Sequence, residues 1–200
     1  MIKEIKPTVF VVDDDTAVRD SLRMLLKSVG LPVEVFESGQ EFLDADRDDR
    51  PGCLVLDIRM PGMSGLELQV KLNERHSILP IIFITGHGDV PMAVEAMQAG
   101  AVDFIQKPFR DQDLLDRINQ ALEKDAGSRR MLAERNMIRK RLESLTPREK
   151  EVLDLVVAGK ANKVIAGDLN LSQRTVEIHR ARVMEKMEAH SLAHLVRMVL

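Results

Sequence analysis

The feature that most constrains this chain is an alternation over its first 123 residues. Short apolar, β-branched runs change places five times with stretches of helical spacing. Thr8–Val12, Val33–Phe36, Cys53–Leu56, Pro80–Ile84 and Val102–Ile105 read as strands. The first intervening stretch carries Val18, Leu22, Leu25, Leu26 and Val29 and is closed by Gly30. Ser38 with Glu41, and Ser64 with Glu67, form capping boxes that open the next two helices. Asp89 can cap a helix bearing Val90, Ala93, Val94 and Met97, closed by Gly100, and a last one carries Leu114, Leu115, Ile118 and Leu122. Five β-α units in a row predict a parallel sheet with helices on both faces, the α/β doubly wound arrangement.

In such a sheet the C-terminal strand ends share one edge, which is where open α/β folds place their sites. Asp13 and Asp14 follow the first strand, Asp57 the third, Thr85 the fourth and Lys107 the fifth. Three carboxylates, a hydroxyl and an ammonium therefore converge. Clustered carboxylates repel one another unless a cation intervenes. Oxygen ligands of this kind suit Mg²⁺, which takes one or two carboxylates and keeps several waters. A divalent ion, an ammonium and a hydroxyl around a free carboxylate oxygen can stabilise a transferring phosphoryl group. Asp57, central among them, is the natural nucleophile. Asp15 reads as a helix N-terminal charge, and His87 in the following loop is assigned no chemistry.

Beyond residue 123 the character changes. Residues 1–123 carry a net charge of −9, residues 124–143 +4 and residues 144–200 +2. An acidic front and a basic back suggest modules with different partners. We expect boundaries at 1–123, 124–143 and 144–200, the middle piece being a helical linker that Ala126-Gly127 breaks or bends. Met131, Ile138 and Leu145 repeat every seven residues with Leu142 near the same stripe. That fits a short dimerising helix and equally a solvated tether resting on its own domains.

Thr146-Pro147-Arg148-Glu149 is a further capping box with Pro at the first helical position. Val152, Leu155 and Val156 form the apolar face of that helix, and Asn162–Leu169 forms a second. Ser172 opens a third helix with Val176, Val183 and Met187 inward, and His190-Ser191 opens a fourth. Four helices with a tight turn between the second and third suggest helix-turn-helix. The third presents Gln173, Arg174, Thr175, Glu177, His179, Arg180 and Arg182, a face that a DNA major groove could accept, with Lys163 nearby on the second. A solvated helix face explains the same residues without DNA.

The strand-end set resembles a two-component receiver domain with the CheY-like (flavodoxin-like) order of five parallel strands. The resemblance implies Asp57 as phosphoacceptor, Asp13 and Asp14 as the acidic pair for Mg²⁺, and metal binding through the Arg59 backbone carbonyl. It also implies Thr85 and Lys107 on the phosphoryl oxygens, Thr85 and Phe104 as switch residues, and a cis bond before Pro108. The string Leu145-Thr146-Pro147-Arg148-Glu149, Asn162-Lys163, Ile165-Ala166, Thr175-Val176-Glu177, His179-Arg180 and Lys186 resembles a LuxR-type helix-turn-helix. Together the two resemble FixJ/NarL-family response regulators, and Thr85-Gly86-His87-Gly88-Asp89-Val90-Pro91-Met92-Ala93 favours FixJ-like members. Val164 departs from the acidic residue common there. Gly167, inside a helix, should weaken it by roughly 1 kcal/mol against Ala.

What the resemblance implies is a phosphorylation-controlled transcription regulator. A histidine kinase supplies the phosphoryl group, and homodimers bind double-stranded DNA at half-sites one helical turn or a multiple apart, with RNA polymerase as a further contact. An alternative is a regulator whose helical domain contacts another protein instead of DNA. An enzyme turning over an outside phosphoester is disfavoured, since no cap or substrate-pocket signature is present. The single Cys53 cannot form an internal disulfide, and neither a leader nor a long apolar run is seen, so a cytoplasmic, non-membrane protein is expected.

Overall fold

The computed structural model describes residues 6–47, 50–86 and 90–199, so the expected cap at Asp89 and the loop residue His87 lie outside the described residues. In chain order the elements are β1 Thr8–Val12, α1 Thr16–Ser28, β2 Val33–Phe36, α2 Gly39–Asp44, β3 Gly52–Asp57, α3 Gly65–Glu74, β4 Ile81–Thr85, α4 Val90–Gln98, β5 Asp103–Gln106 and α5 Asp111–Glu143. Then follow α6 Pro147–Val157, α7 Asn162–Asp168, α8 Gln173–Lys186 and α9 Leu192–Val199. The chain divides into two compact units at Arg130/Met131.

In the first unit five strands pair in parallel in the order β2-β1-β3-β4-β5. Alternation along the strands splits the core in two. Phe10, Val12, Leu54, Leu56 and Phe83 join Phe36, Phe42 and Leu68 on one face. Val9, Val11, Val55, Ile82 and Ile84 meet Leu22, Leu26, Leu114 and Ile118 on the other. Register sets the functional edge. Val12 pairs with both Phe36 and Leu56, Asp57 with Ile84 and Thr85 with Gln106. Asp13, Asp57 and Thr85 thus emerge side by side.

The helix starts follow the sequence reading with one correction. Asp15 caps α1 by accepting from the Ala17 N–H at 2.8 Å. Ser64 and Glu67 complete a reciprocal box at α3. At α2 only half of the box forms: Ser38 accepts from the Glu41 N–H, but the Glu41 carboxylate reaches past it to the Glu37 N–H at 2.7 Å. Gly65 is required by proximity, since a Cβ there would lie 2.3 Å from the Asp57 carbonyl oxygen. The absent side chain lets α3 start directly against the residue that ends β3.

α5 does not break at Ala126-Gly127; both residues lie within one helix of 33 residues. Just before its midpoint Asp125, 2% exposed, accepts the Gly52 N–H at 2.9 Å and pairs with Arg129 at 2.8 Å. Arg129 also donates to the Arg50 carbonyl at 2.6 Å. Burial, and then the Asp125 charge, push the neighbouring Cys53 thiol up to about 12.

In the second unit Leu145, Val152, Leu153, Val156, Ile165, Val176, Val183, Met187 and Leu195 belong to the core, with Ile138 and Leu142 packed on it. Three members of the apolar stripe around the linker therefore rest on their own helical unit, while Met131 is 58% exposed. Gly167 faces open space. Glu149 closes the capping box with Thr146 and pairs with Lys186 at 2.6 Å. The hydrogen bond from Lys186, then that from the Thr146 N–H, pull its carboxyl down to about 2. A depressed folded pKa contributes stability that is complete above the ordinary glutamate range and lost as pH falls toward about 2. Solvent reaches the Lys186 side chain, 34% exposed, and limits this to on the order of 1–2 kcal/mol. Glu149→Gln should therefore destabilise the helical unit at neutral pH, with the deficit closing near pH 2 in acid-titrated thermal melts. A deficit that persists unchanged in acid would rule the ionised pair out as its source.

Candidate functional site

The Lys107 side chain joins two carboxylates from different strands. Its Nζ donates to Asp57 Oδ1 at 2.8 Å and to Asp13 Oδ2 at 2.9 Å. The other oxygens are also engaged: Asp57 Oδ2 accepts the Arg59 N–H at 2.7 Å and Asp13 Oδ1 the Asp15 N–H at 2.8 Å. Both carboxylates are buried, Asp13 at 2% and Asp57 at 8% exposure, whereas Asp14 between the strand and α1 is open to solvent. A backbone hydrogen bond fixes the lysine, its N–H donating to the Thr85 carbonyl at 2.7 Å. The Lys107–Pro108 bond is cis.

Among the described residues the local charge is unbalanced, two buried anions to one cation. Burial pushes the Asp57 carboxyl up, Lys107 pulls it back, and the Asp13 charge pushes it up again. For Lys107, burial alone would lower the ammonium's pKa, but the hydrogen bonds and charges of Asp57 and Asp13 outweigh it and hold the ammonium above its ordinary value. The Asp57 shift thus comes first from burial, and the Lys107 shift from the two carboxylates that share it. Among the described residues no three side chains form a ready metal cage. The donor set nevertheless fits Mg²⁺: hard oxygens, two of them already sharing a cation, and a solvent-facing Asp14 that leaves room for retained water.

Thr85 is buried at the end of β4, its hydroxyl donating to the Gly86 carbonyl at 3.3 Å. Phe104 on β5 is 38% exposed and lines an apolar groove with Ala93, Val94 and Met97 of α4. The structure therefore brings Asp13, Asp57, Lys107 and the Thr85 backbone together, and sets Phe104 apart from them on the surface.

In the helical unit, Ser172 caps α8 by accepting the Thr175 N–H at 3.1 Å, and its hydroxyl lies 2.8 Å from that of Thr175. Lys163, Gln173, Arg174, Glu177 and Arg182 are exposed. Thr175, His179 and Arg180 are half-buried. Arg180 donates to Asn162 Oδ1 at 2.7 Å, so its guanidinium ties α8 to α7. Ile178, absent from the sequence reading, is 47% exposed on the outer face of α8. Its signal was an aliphatic residue out of phase with Val176 and Val183.

Comparison with known proteins agrees with this geometry. The family of response regulator receiver domains matches residues 9–119, and the luxR family of bacterial regulatory proteins matches residues 143–199. The transcriptional regulatory protein FixJ of Rhizobium meliloti strain 1021 is 52% identical over 193 residues, 96% of this chain and 95% of that protein. Nodulation protein W of Bradyrhizobium diazoefficiens is 50% identical, over 96% of this chain and 85% of that one. The solved structure of response regulator StyR is 50% identical with a TM-score of 0.90, covering 97% of this chain and 98% of that chain. Receiver edge, helix-turn-helix and full-length likeness agree: the chain belongs to the response regulators that join a receiver domain to a LuxR-type DNA-binding domain.

Proposed function

We propose that Asp57 accepts a phosphoryl group from the phosphohistidine of a partner kinase and that this modification controls DNA binding through α8. The observation that carries the reading is the single lysine bridging Asp57 and Asp13 at 2.8 and 2.9 Å. An Asp57 oxygen forms the new bond to phosphorus, the bond from phosphorus to the histidine nitrogen breaks, and the electron pair stays on that nitrogen. Lys107 and Thr85 take phosphoryl oxygens. Asp13, Asp14, Asp57 and the Arg59 carbonyl would hold Mg²⁺, which supplies positive charge against those oxygens when bound. No outside substrate is assigned; the chain's chemistry is gain and loss of its own phosphoryl group.

The bulkier, more charged Asp57 then biases the Thr85–Phe104 region between two states. The apolar groove beside Phe104 gives homodimers a surface, and two copies of α8 then meet paired half-sites. On α8, Arg174 and Arg182 suit phosphates, Gln173 a base edge and Ile178 a thymine methyl. RNA polymerase is a further partner of the bound dimer, and the setting is the cytoplasm, where the DNA is. Among the described residues no helix is long and apolar enough to cross a membrane.

Incubation with a small acyl phosphate and Mg²⁺ should label the chain, and Asp57→Asn should take no label. The labelled chain should bind duplex DNA more tightly than Asp57→Asn does, with affinity falling as salt rises. Label surviving the substitution would move the acceptor elsewhere; DNA affinity indifferent to the label would break the control.

A further inference from the structure

Asp13 is tied down at every polar atom. Its N–H donates to the Phe36 carbonyl at 3.3 Å, and its two carboxylate oxygens accept from Asp15 and Lys107. The remaining atom is its carbonyl oxygen, which belongs to the peptide joining Asp13 to Asp14. That oxygen accepts from Arg19 Nη1 at 2.7 Å. The other guanidinium nitrogen, Nη2, donates to Thr16 Oγ1 at 3.0 Å, and the Arg19 N–H donates to the Asp15 carbonyl at 3.0 Å. One half-buried side chain thus spans the β1–α1 turn from the first turn of the helix that follows it.

We infer that Arg19 is a positioning residue for the metal-binding turn: its guanidinium fork fixes the Asp13–Asp14 peptide and thereby the direction from which Asp14 meets Mg²⁺. The inference rests on the phosphoacceptor reading above. Asp14 needs such help more than its neighbours do. Asp13 and Asp57 are held by Lys107, whereas the exposed Asp14 carboxylate has, among the described residues, only its backbone to orient it. The contact is to a carbonyl and a hydroxyl, not to a carboxylate, so Arg19 itself occupies no acidic oxygen that the ion would use. A planar fork can reach both acceptors at once, and a lysine ammonium on its flexible stem can serve one well but not both. Groups that orient metal ligands from behind are worth about 10- to 100-fold in metal affinity, and Arg19, acting on backbone, belongs at the lower end.

The chain has no Trp or Tyr, so Mg²⁺ binding to the full-length protein is best read by calorimetric titration. Arg19→Met should raise the Mg²⁺ Kd by about tenfold, at the lower end of that range, with Arg19→Lys falling between it and the wild type. The labelling rate of Arg19→Met should be low at limiting Mg²⁺ and should return to the wild-type rate at saturation. Melts in chelator report whether Arg19→Met folds. If it does not, Arg19→Lys and Thr16→Val carry the same comparison, each weakening Mg²⁺ without abolishing it. An unchanged Kd, or a labelling defect that saturating Mg²⁺ leaves in place, overturns the inference. Wild-type protein that takes up no Mg²⁺ overturns the phosphoacceptor reading and Arg19 with it. If the wild type binds the ion, Asp14→Asn does not, and Arg19→Met matches the wild type, only Arg19 is removed.

Discussion

Lys107→Met should slow labelling of Asp57 by about 10²- to 10³-fold, the usual loss when a preorganised donor to a developing anion is removed. It should also make the metal-free receiver less stable. Among the described residues the lysine is the one cation between two carboxylates that are 2% and 8% exposed. Without it Asp13 and Asp57 face each other across a buried gap with no ammonium shared between them, which further disfavours the ionised form of Asp57. The pH dependence has a definite sign. The Asp57 pKa is already raised on folding, so its ionised form costs stability above the folded pKa, and that cost disappears as pH falls below the unfolded value. Lys107 has a raised folded pKa, so its contribution is complete below the ordinary lysine value and lost only as pH rises through the folded one. Removing it enlarges the Asp57 cost. The deficit of Lys107→Met in urea unfolding should therefore be greatest at neutral pH and shrink on acidification. Mg²⁺ should narrow it by returning positive charge to the pocket. A labelling rate equal to the wild type's would sink the assignment of Lys107; a stability deficit independent of pH would show that lost packing, not charge, is responsible.

The sheet edge was legible because strand ends are marked twice in the sequence, by the stop of an apolar run and by the polar residue after it. Val12 to Asp13, Leu56 to Asp57 and Ile84 to Thr85 each make that step. In a parallel sheet, such steps share an edge whatever the side chains do. What was not legible is how one side chain divides itself among several acceptors. Lys107 could be placed near Asp57, but its second bond to Asp13 depends on the β1–β3 register. Arg19 reads as an ordinary charge on an amphipathic helix, and only the turn's path shows its guanidinium folded back onto Asp13. Glu41 was misplaced by one residue for a similar reason, since a glutamate can cap Ser38 or Glu37 with equal reach.

The helical unit teaches the same lesson from the other side. Its caps and apolar periodicity are local, and Thr146, Glu149 and Ser172 stand where the sequence puts them. The polar face of α8 was read as one set, yet the structure divides it. Arg174 and Arg182 stay exposed, while Arg180 is spent on Asn162, 18 residues earlier. Ala126-Gly127 reads in the sequence as a break or bend, yet a glycine lowers helix propensity by only about 1 kcal/mol. That is too small a penalty to end a helix anchored on either side of the pair, by Asp125 and Arg129, to residues 50–52.

That anchor leads to the second large effect. Asp125→Ala should destabilise the receiver unit by about 2–4 kcal/mol, somewhat less than the 3–5 kcal/mol for breaking a fully buried pair, because the Arg129 side chain keeps 23% exposure. Two losses combine. Arg129 loses its carboxylate, and the buried Gly52 N–H loses its acceptor at the first residue of the strand that ends in Asp57. Arg129→Met should cost more than Asp125→Ala, since it strands an anion that is 2% exposed. The double variant Asp125→Leu/Arg129→Met should recover part of the loss but not all of it. Apolar packing can replace an ion pair, but it cannot replace the acceptor of the Gly52 N–H. Urea unfolding followed by hydrogen exchange at the β3 amides separates the two losses. The receiver transition should move while the helical unit's stays in place, and Gly52 should exchange faster in every variant lacking the carboxylate. A double variant as stable as the wild type, with Gly52 still protected, would mean that the carboxylate serves Arg129 alone and that β3 is held at its start by the sheet without help from α5.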